Sequence, residues 1–431
     1  MAKINDSTSY DVLIVGAGMA GLSLVHLLRH SIEQGLKVAL VERVELPAVS
    51  EPLTNDFEQA PPSFDGRATA LSFGTQQIFA QLGVWPNLAA AACPIHSIQV
   101  SDQGRFGQTH LHRKEAGVDA LGYIIRNHSL GQGLMADLPA GVDILAPESV
   151  KSIAISAENK AQLQLESGKQ IMAELVVMAD GGRSDLAQQL GIRQQKNSYG
   201  THALVTSVRI DRHHEHWAYE RFTDAGPIAL LPLAEKEFAV VWTLNDDQIE
   251  EYLAADDATL IARLQQAFGY RSGRIVAMGE RACYPLALVE ATEQVRPHIV
   301  LLGNAAHSLH PVAGQGFNLG LRDAAALAQY INQAFAEQLP VGAWPVVQGY
   351  YQQQKADQNT TILGSDVLPK LFGIKNKLIS IGRDAGLIAL ALSPTSRKLF
   401  ARQAMGMGQP AAKLQQSVRS HNASASMGQT S

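Results

Sequence analysis

The sequence predicts an α/β protein in which a helix-backed parallel sheet is interleaved with a mainly antiparallel one and followed by C-terminal helices. Three observations predict it. The chain opens on two apolar runs, 10–15 and 37–42, with a helical pattern between them, a βαβ unit within about 33 residues. The stretch 201–245 carries three runs spaced as strands of a largely antiparallel sheet. A buried-strand run returns at 298–302, ends at Gly303, and leads into two long helical patterns.

Composition bounds the function. Of 431 residues, 46% are hydrophobic and 17% charged, with a formal net charge of −5. That balance is too apolar for a disordered chain and too weakly charged for a dedicated nucleic-acid binder, so no nucleic-acid partner is expected. The length suits two or three domains with large cores. The two cysteines, Cys93 and Cys283, match no zinc spacing and no disulfide framework, which fits a reducing compartment. The N-terminal segment has no apolar core, so no signal peptide is expected, and no apolar run approaches the roughly 20 residues of a membrane span.

Taken in order, 10–15 reads as a strand buried on both faces, 19 to about 29 as a helix, and 37–42 as a second buried strand. Residues 44–64 lack periodicity and hold Pro47, Pro52, Pro61 and Pro62, which predicts a long loop. Helical spacing resumes at 75–82. Short strands and one helix fill 95–182, ending at Asp180-Gly181. The runs 203–210, 227–232 and 238–243 predict antiparallel strands, and 258–268 a helix. A buried strand at 298–302 precedes helices at 315–335 and 344–362. Residues 365–404 hold seven basic and two acidic side chains, a surplus of +5. From about 406 the chain is rich in Ser, Gln, Gly and Ala, which predicts a disordered tail. There is no internal repeat.

Gly16-Ala-Gly18-Met-Ala-Gly21 is a G-x-G-x-x-G run that follows a buried strand, opens a helix, and is succeeded 21 residues later by Glu42 at the end of the next strand. That is the full context of a Rossmann dinucleotide fingerprint. Gly16 permits the tight turn, Gly18 lets backbone approach a pyrophosphate, and Gly21 lets helix pack on strand. The helix N-terminus receives the phosphates, and Glu42 accepts the ribose hydroxyls, which disfavours a 2′-phosphate. The fingerprint alone does not separate NAD from FAD.

Two distant segments do. Residues 303–323 read Gly303-Asn304-Ala-Ala-His307-Ser-Leu-His310-Pro311-Val-Ala-Gly314-Gln315-Gly316-Phe-Asn318-Leu-Gly320-Leu-Arg-Asp323. This resembles the second FAD motif of the p-hydroxybenzoate-hydroxylase-like flavoprotein monooxygenases. Asp180-Gly181-Gly-Arg183-Ser184 resembles their Asp-Gly turn, and Gly66-Arg67-Ala68 their Gly-Arg-Ala segment. Within that family the chain is most similar to the UbiH-type branch of 2-polyprenyl-6-methoxyphenol hydroxylases, through 64–71, 220–232, 284–288 and 303–323. Asn304 stands where the wider family has Asp; Asn keeps a carbonyl acceptor and loses the charge. The Gly-Asn-Ala-Ala form is itself a feature of that branch.

The resemblance implies an arrangement and a chemistry. A Rossmann-like FAD-binding domain would comprise 1–182, with a strand near 95–101 lent to the substrate sheet, and 283–364. A substrate domain would comprise 183–282. A basic helical region, 365–405, and the tail, 406–431, would follow. FAD would contact Gly16, Gly18, Gly21, Glu42, Arg43, Arg67, Asp180, Gly303, Asn304, Pro311, Gly314, Gln315, Gly316 and Asn318. The helix after Gly314 would place its N–H groups at the flavin pyrimidine edge. Pro227, Leu230, Tyr284 and Pro285 would line an apolar substrate pocket.

Reduction by NAD(P)H and reaction with O2 would give a flavin C4a-hydroperoxide that hydroxylates the ring of a prenylated phenol in ubiquinone biosynthesis. No second fingerprint is present, so the nicotinamide would bind transiently. His307 and His310 are candidates for proton transfer, although a histidine beside such a motif is more often structural. Arg212-His-His-Glu-His216 suits no zinc site and reads as a solvated turn, so no metal is expected. The basic region, with Leu368, Leu371, Phe372, Leu399 and Phe400, suits anionic lipid or a partner of a biosynthetic complex, and equally a plain helical cap. The implied location is the bacterial cytoplasm or the periphery of its inner membrane. Two alternatives stay open: a sister hydroxylase acting at another ring carbon, and a flavin-binding subunit without turnover of its own.

Overall fold

The structure, a computed structural model, describes residues 8–46, 67–104, 108–156, 160–309, 314–373, 402 and 405–407, with side chains described as far as 367 in the last long helix. Most of the proline-rich loop, the segment 64–66, His310, Pro311, most of the basic region and nearly all of the tail lie outside them.

The fingerprint strand Thr8–Val15 is central to the first sheet. Its parallel neighbours are Val38–Val41 on one side and Gln170–Met178 on the other. Val142–Leu145 and Ile299–Leu301 extend the parallel order outward. The hairpin of Val150–Ile155 and Ala161–Leu165 adds an antiparallel wing. An all-apolar strand requires cover on both faces, and the alternation shows it. Val12 and Ile14 pack with Leu22, Leu24, Leu321 and Leu327 of the helices Met19–Leu27 and Gln315–Ala336. Leu13 and Val15 pack on the opposite face with Val41, Val176 and Leu163.

The second sheet has nine strands. All its pairings are antiparallel except that of Ser97–Asp102 with Trp217–Thr223. The middle order is Ala282–Ala291, Gln194–Ile210, Glu237–Asn245, Gly226–Pro232, Trp217–Thr223. One face carries Leu204, Ile228, Leu230, Phe238 and Trp242 against Leu264 and Phe268 of the helix Asp257–Phe268. A third sheet joins Ala68–Ser72, Gly122–Arg126 and Cys93–Ile95.

Three expectations need correction. The boundary at 282/283 cuts through a unit: Ala282–Ala291 pairs with Gln194–Ile210 and belongs to the second sheet. The last long helix, Trp344–Gly373, continues well past residue 362. Residues 406 and 407 are not the start of a disordered tail. The Met405 carbonyl accepts from Gly74 N at 2.8 Å, and Met405, 2% exposed, packs with Ile95, Leu111, Leu121 and Ala218, with Met407 beside them.

Candidate functional site

The three sheets enclose a cavity of about 670 Å³, within the usual size of a small-molecule or cofactor site. Its first wall is the fingerprint. Gly16 donates from its N–H to the Val41 carbonyl at 2.8 Å and has φ +103°, and a Cβ there would stand 2.8 Å from the Asp180 Cα. A Cβ on Gly21 would meet the Gly16 carbonyl oxygen at 2.1 Å, so glycine is what lets helix Met19–Leu27 rise directly from the turn. Gly18 caps that helix with no side-chain hydrogen bond, leaving its first N–H groups to a ligand. Glu42 is 8% exposed, and its carboxylate accepts from Ala17 N at 2.8 Å and Val44 N at 3.3 Å. Lone pairs remain for a diol. Arg43 and Asp180 also line the cavity. The Asp180 carboxylate accepts from Gly182 N at 3.0 Å and Ser184 N at 2.8 Å, holding the Asp-Gly turn closed.

The second wall is the start of helix Gln315–Ala336. Gly303, Asn304, Gly314, Gln315, Gly316 and Asn318 all line the cavity. Gly314 is the N-cap, with φ +60°, and a Cβ on it would stand 2.7 Å from the Ala70 Cβ. The helix has no side-chain cap, so a second helix N-terminus opens on the same space. The Asn318 side chain also ties the protein to itself. Its Oδ1 accepts from Ser72 N and Thr75 Oγ1 at 2.8 and 2.7 Å, and its Nδ2 donates to the Ala70 and Gly314 carbonyls at 2.8 and 2.7 Å. The amide is fully engaged within the protein, and it fixes strand Ala68–Ser72 against the helix start.

The third wall is the second sheet. Tyr284 and Pro285 line it, and the Arg67 guanidinium stands 4.8 Å from the Tyr284 ring centroid. Leu230 does not line it: strand alternation turns Leu230 to the opposite face, against Leu264 and Phe268. Pro227, paired with Phe222 near the strand's start, is buried but away from the cavity lining. The cavity instead meets Ala229 and Leu231, with Ile98, Val100, Val205 and Val241 from neighbouring strands. Sequence reasoning missed these because 227–231 is apolar at every position, which hides the period of two. It also missed Glu220, which joins the same wall; a carboxyl between Ala218 and Phe222 at strand spacing was the signal.

The candidate His307 lies elsewhere, and His310 is outside the described residues. His307 is fully buried beneath the helix start, outside the cavity lining, with Nε2 2.6 Å from Asp323 Oδ2. The other Asp323 oxygen accepts from Gln358 at 3.1 Å, so the pair fastens Trp344–Gly373 to Gln315–Ala336. His307 is a structural residue there. The 212–216 cluster is not wholly a solvated turn. His214 is 4% exposed with its ring centroid 5.5 Å from that of Phe238, and burial pushes its pKa down to about 4. His216 tilts over His96 with centroids 4.4 Å apart.

Known proteins agree with this geometry. A family model described as FAD binding domain matches residues 9–339. The ubiquinone hydroxylase UbiL of Rhodospirillum rubrum is 32% identical over 400 residues, covering 92% of this chain and 89% of that protein. The 3-demethoxyubiquinol 3-hydroxylase of Escherichia coli is 29% identical, covering 92% of this chain and 98% of that protein. The crystal structure of p-nitrophenol 4-monooxygenase PnpA from Pseudomonas putida shares the fold, with a TM-score of 0.73 at 16% identity, covering 93% of this chain and 99% of that one.

Proposed function

The chain belongs to the FAD-binding domain family, and from that premise we propose that it is an FAD-dependent aromatic-ring hydroxylase of ubiquinone biosynthesis, acting on a prenylated phenol with O2 and NAD(P)H. The observation that carries the reading is one cavity with two unlike walls. Two uncapped helix N-termini and Glu42 face it on one side, and a predominantly apolar sheet face on the other. The relatives' names support ring hydroxylation of a ubiquinone precursor. 2-Polyprenyl-6-methoxyphenol, suggested by the branch resemblance, is the first substrate to test.

The residues fit FAD. Gly16, Gly18 and Gly21 would bring backbone and the first helix end to the pyrophosphate, with Arg43 beside it, and Glu42 would hold the adenosine ribose. Arg67, Asp180, Gly303 and Asn304 would flank the middle of the cofactor, and Gly314, Gln315 and Gly316 would set N–H groups where negative charge gathers on the reduced ring. Bound, the cofactor supplies an activated oxygen atom from O2 once reduced. The protein's share is to position the ring and keep the site dry. Ile98, Val100, Val205, Leu231 and Val241 exclude water that would otherwise divert the oxygen to hydrogen peroxide. Tyr284 and Pro285 close the pocket beside Arg67. With one dinucleotide fingerprint in the chain, NAD(P)H serves as a transient reductant. The +5 surplus over 365–404 supports contact with anionic lipid or a partner protein at the cytoplasmic face.

The test is anaerobic reduction of the flavin by NADH and by NADPH, with and without a short-chain prenylphenol, then an oxygen pulse and mass analysis. A phenol heavier by one oxygen atom supports the reading, and the atom's location assigns the ring carbon. A flavin that yields only hydrogen peroxide with every phenol overturns it in favour of a subunit without turnover.

A further inference from the structure

Glu220 lies on the strand Trp217–Thr223, in the face that lines the cavity. Its ladder neighbours are Val100 on one side and Ala229 on the other, and Ala218, Ile98, Leu231 and Val241 surround it on the same face. Among the described residues it is the one carboxyl on this sheet wall. Its Oε1 is buried with no hydrogen-bond partner among the described residues. A desolvated carboxylate oxygen without a partner destabilises a fold, and a leucine would fill the same space more cheaply. Such groups concentrate where a ligand completes them.

Resting on the hydroxylase reading, we infer that Glu220 receives the phenolic hydroxyl of the substrate and takes its proton while the ring is oxygenated. The phenol O–H bond breaks as the ring carbon forms its new bond to the oxygen atom delivered by reduced flavin and O2. The proton goes to Glu220, and the O–H electron pair becomes the carbonyl of a dienone. The ring hydrogen then leaves as a proton to the second oxygen atom, which departs as water, and Glu220 returns its proton to the carbonyl oxygen as the ring becomes aromatic again. The O–O bond breaks in the transfer, and the two electrons and the second proton of that water come from the reduced flavin, which is left oxidised.

Other charged groups are turned away or engaged. Tyr219 and Arg221 alternate to the opposite face, Tyr219 against Phe238 and Phe268, and Arg221 in the field of Arg271 and Asp102. Arg67 stacks on Tyr284. The helix Trp344–Gly373 also approaches this strand, and its Asp366 accepts from the Tyr199 hydroxyl. Burial alone pushes the Glu220 carboxyl up to about 7, so it is partly ionised at neutral pH and returns a proton readily.

The experiment compares wild type with Glu220→Gln, Glu220→Leu and Glu220→Asp, each loaded with FAD. Thermal unfolding, FAD content and single-turnover hydroxylation after dithionite reduction are measured from pH 6 to 9. Glutamine and leucine should retain FAD and melt at or above the wild-type temperature. Their hydroxylation rate should fall about 100-fold, with hydrogen peroxide replacing product, as for a lost general base. The wild-type rate should rise with pH through about 7, the glutamine variant should be flat, and aspartate should recover part of the rate. A glutamine variant that hydroxylates at the wild-type rate and pH profile overturns the inference, as does one that melts lower and sheds FAD. A wild type that hydroxylates no phenol instead overturns the function on which it rests.

Discussion

Asn318→Ala removes the amide that ties the helix start to strand Ala68–Ser72. Four hydrogen bonds of 2.7–2.8 Å disappear in a site 1% exposed. The Thr75 hydroxyl keeps a 3.2 Å contact with Ser72 Oγ, but Ser72 N and the Ala70 and Gly314 carbonyls lose their Asn318 partner. At roughly 1–1.5 kcal/mol for each bond, the loss is about 4–6 kcal/mol. That is a large share of the roughly 5–15 kcal/mol by which folded proteins are stable. It corresponds to a fall in Tm of about 5–15 °C. Asn318→Asp should be no better, because the nitrogen that donates to both carbonyls becomes an oxygen facing them and a charge is buried. The assay is circular-dichroism melting at one scan rate, with FAD per protein measured by absorbance. A Tm within about 2 °C of wild type, with FAD lost, would refute the reasoning and put the Asn318 side chain on the cofactor.

Other perturbations separate the remaining claims. Gly16→Ala forces a Cβ to 2.8 Å from the Asp180 Cα at φ +103°; the purified protein should be colourless, and normal FAD occupancy would unseat the fingerprint turn. Arg322→Ala leaves Asp357, paired at 2.6 Å and 8% exposed, without its cation; chemical denaturation should show a loss of about 3–5 kcal/mol, and an unchanged midpoint would count against it. Asn304→Asp should retain FAD or bind it more tightly, as measured by equilibrium dialysis, and a clear loss would displace Asn304 from the cofactor. Burial lowers the pKa of His26, His96, His214 and His216, with His96 and His214 near 4. The unfolded chain takes up protons on these histidines near pH 6.5 and the native one does not until lower pH, so their contribution to stability is level above about pH 7 and falls as pH drops from 6.5 towards 4. His214→Phe should flatten that fall, and an identical pH–Tm curve would exclude His214 as a contributor.

The sequence was most legible where one physical demand dominates. The fingerprint turn needs glycines at Gly16 and Gly21 because backbone occupies the space of any Cβ, and the strand before it is apolar at 12–15 because both faces are covered. The helix Asp257–Phe268 begins one residue before its expected start, behind an Asp256 cap. Legibility failed where the answer depends on a partner distant in sequence. Leu230 and Leu231 are chemically identical, and only the position of helix Asp257–Phe268 decides which faces the cavity. Asn318 reads as a cofactor contact, and the engagement of its side-chain amide by Ser72 and Ala70, nearly 250 residues earlier, has no signal in the sequence. His214 sits in a polar run, yet Phe238 folds over it. Glu220 reads as an ordinary surface acid until the strand Ser97–Asp102 lies alongside it.

The packing of Met405 has a consequence for biogenesis. This residue, distant in sequence from its partners, seats among Ile95, Leu111, Leu121 and Ala218, and its carbonyl accepts from Gly74 N. A chain emerging from the ribosome can pair the strands Thr8–Val15 and Val38–Val41 early, because that contact is local. It cannot complete the apolar end of the cavity until Met405 is free to pack there. A chain that lacks Met405 therefore offers the fingerprint turn beside an open hydrophobic wall. Shortening the gene before codon 405 would leave that wall exposed to whatever else in the cell binds apolar surface.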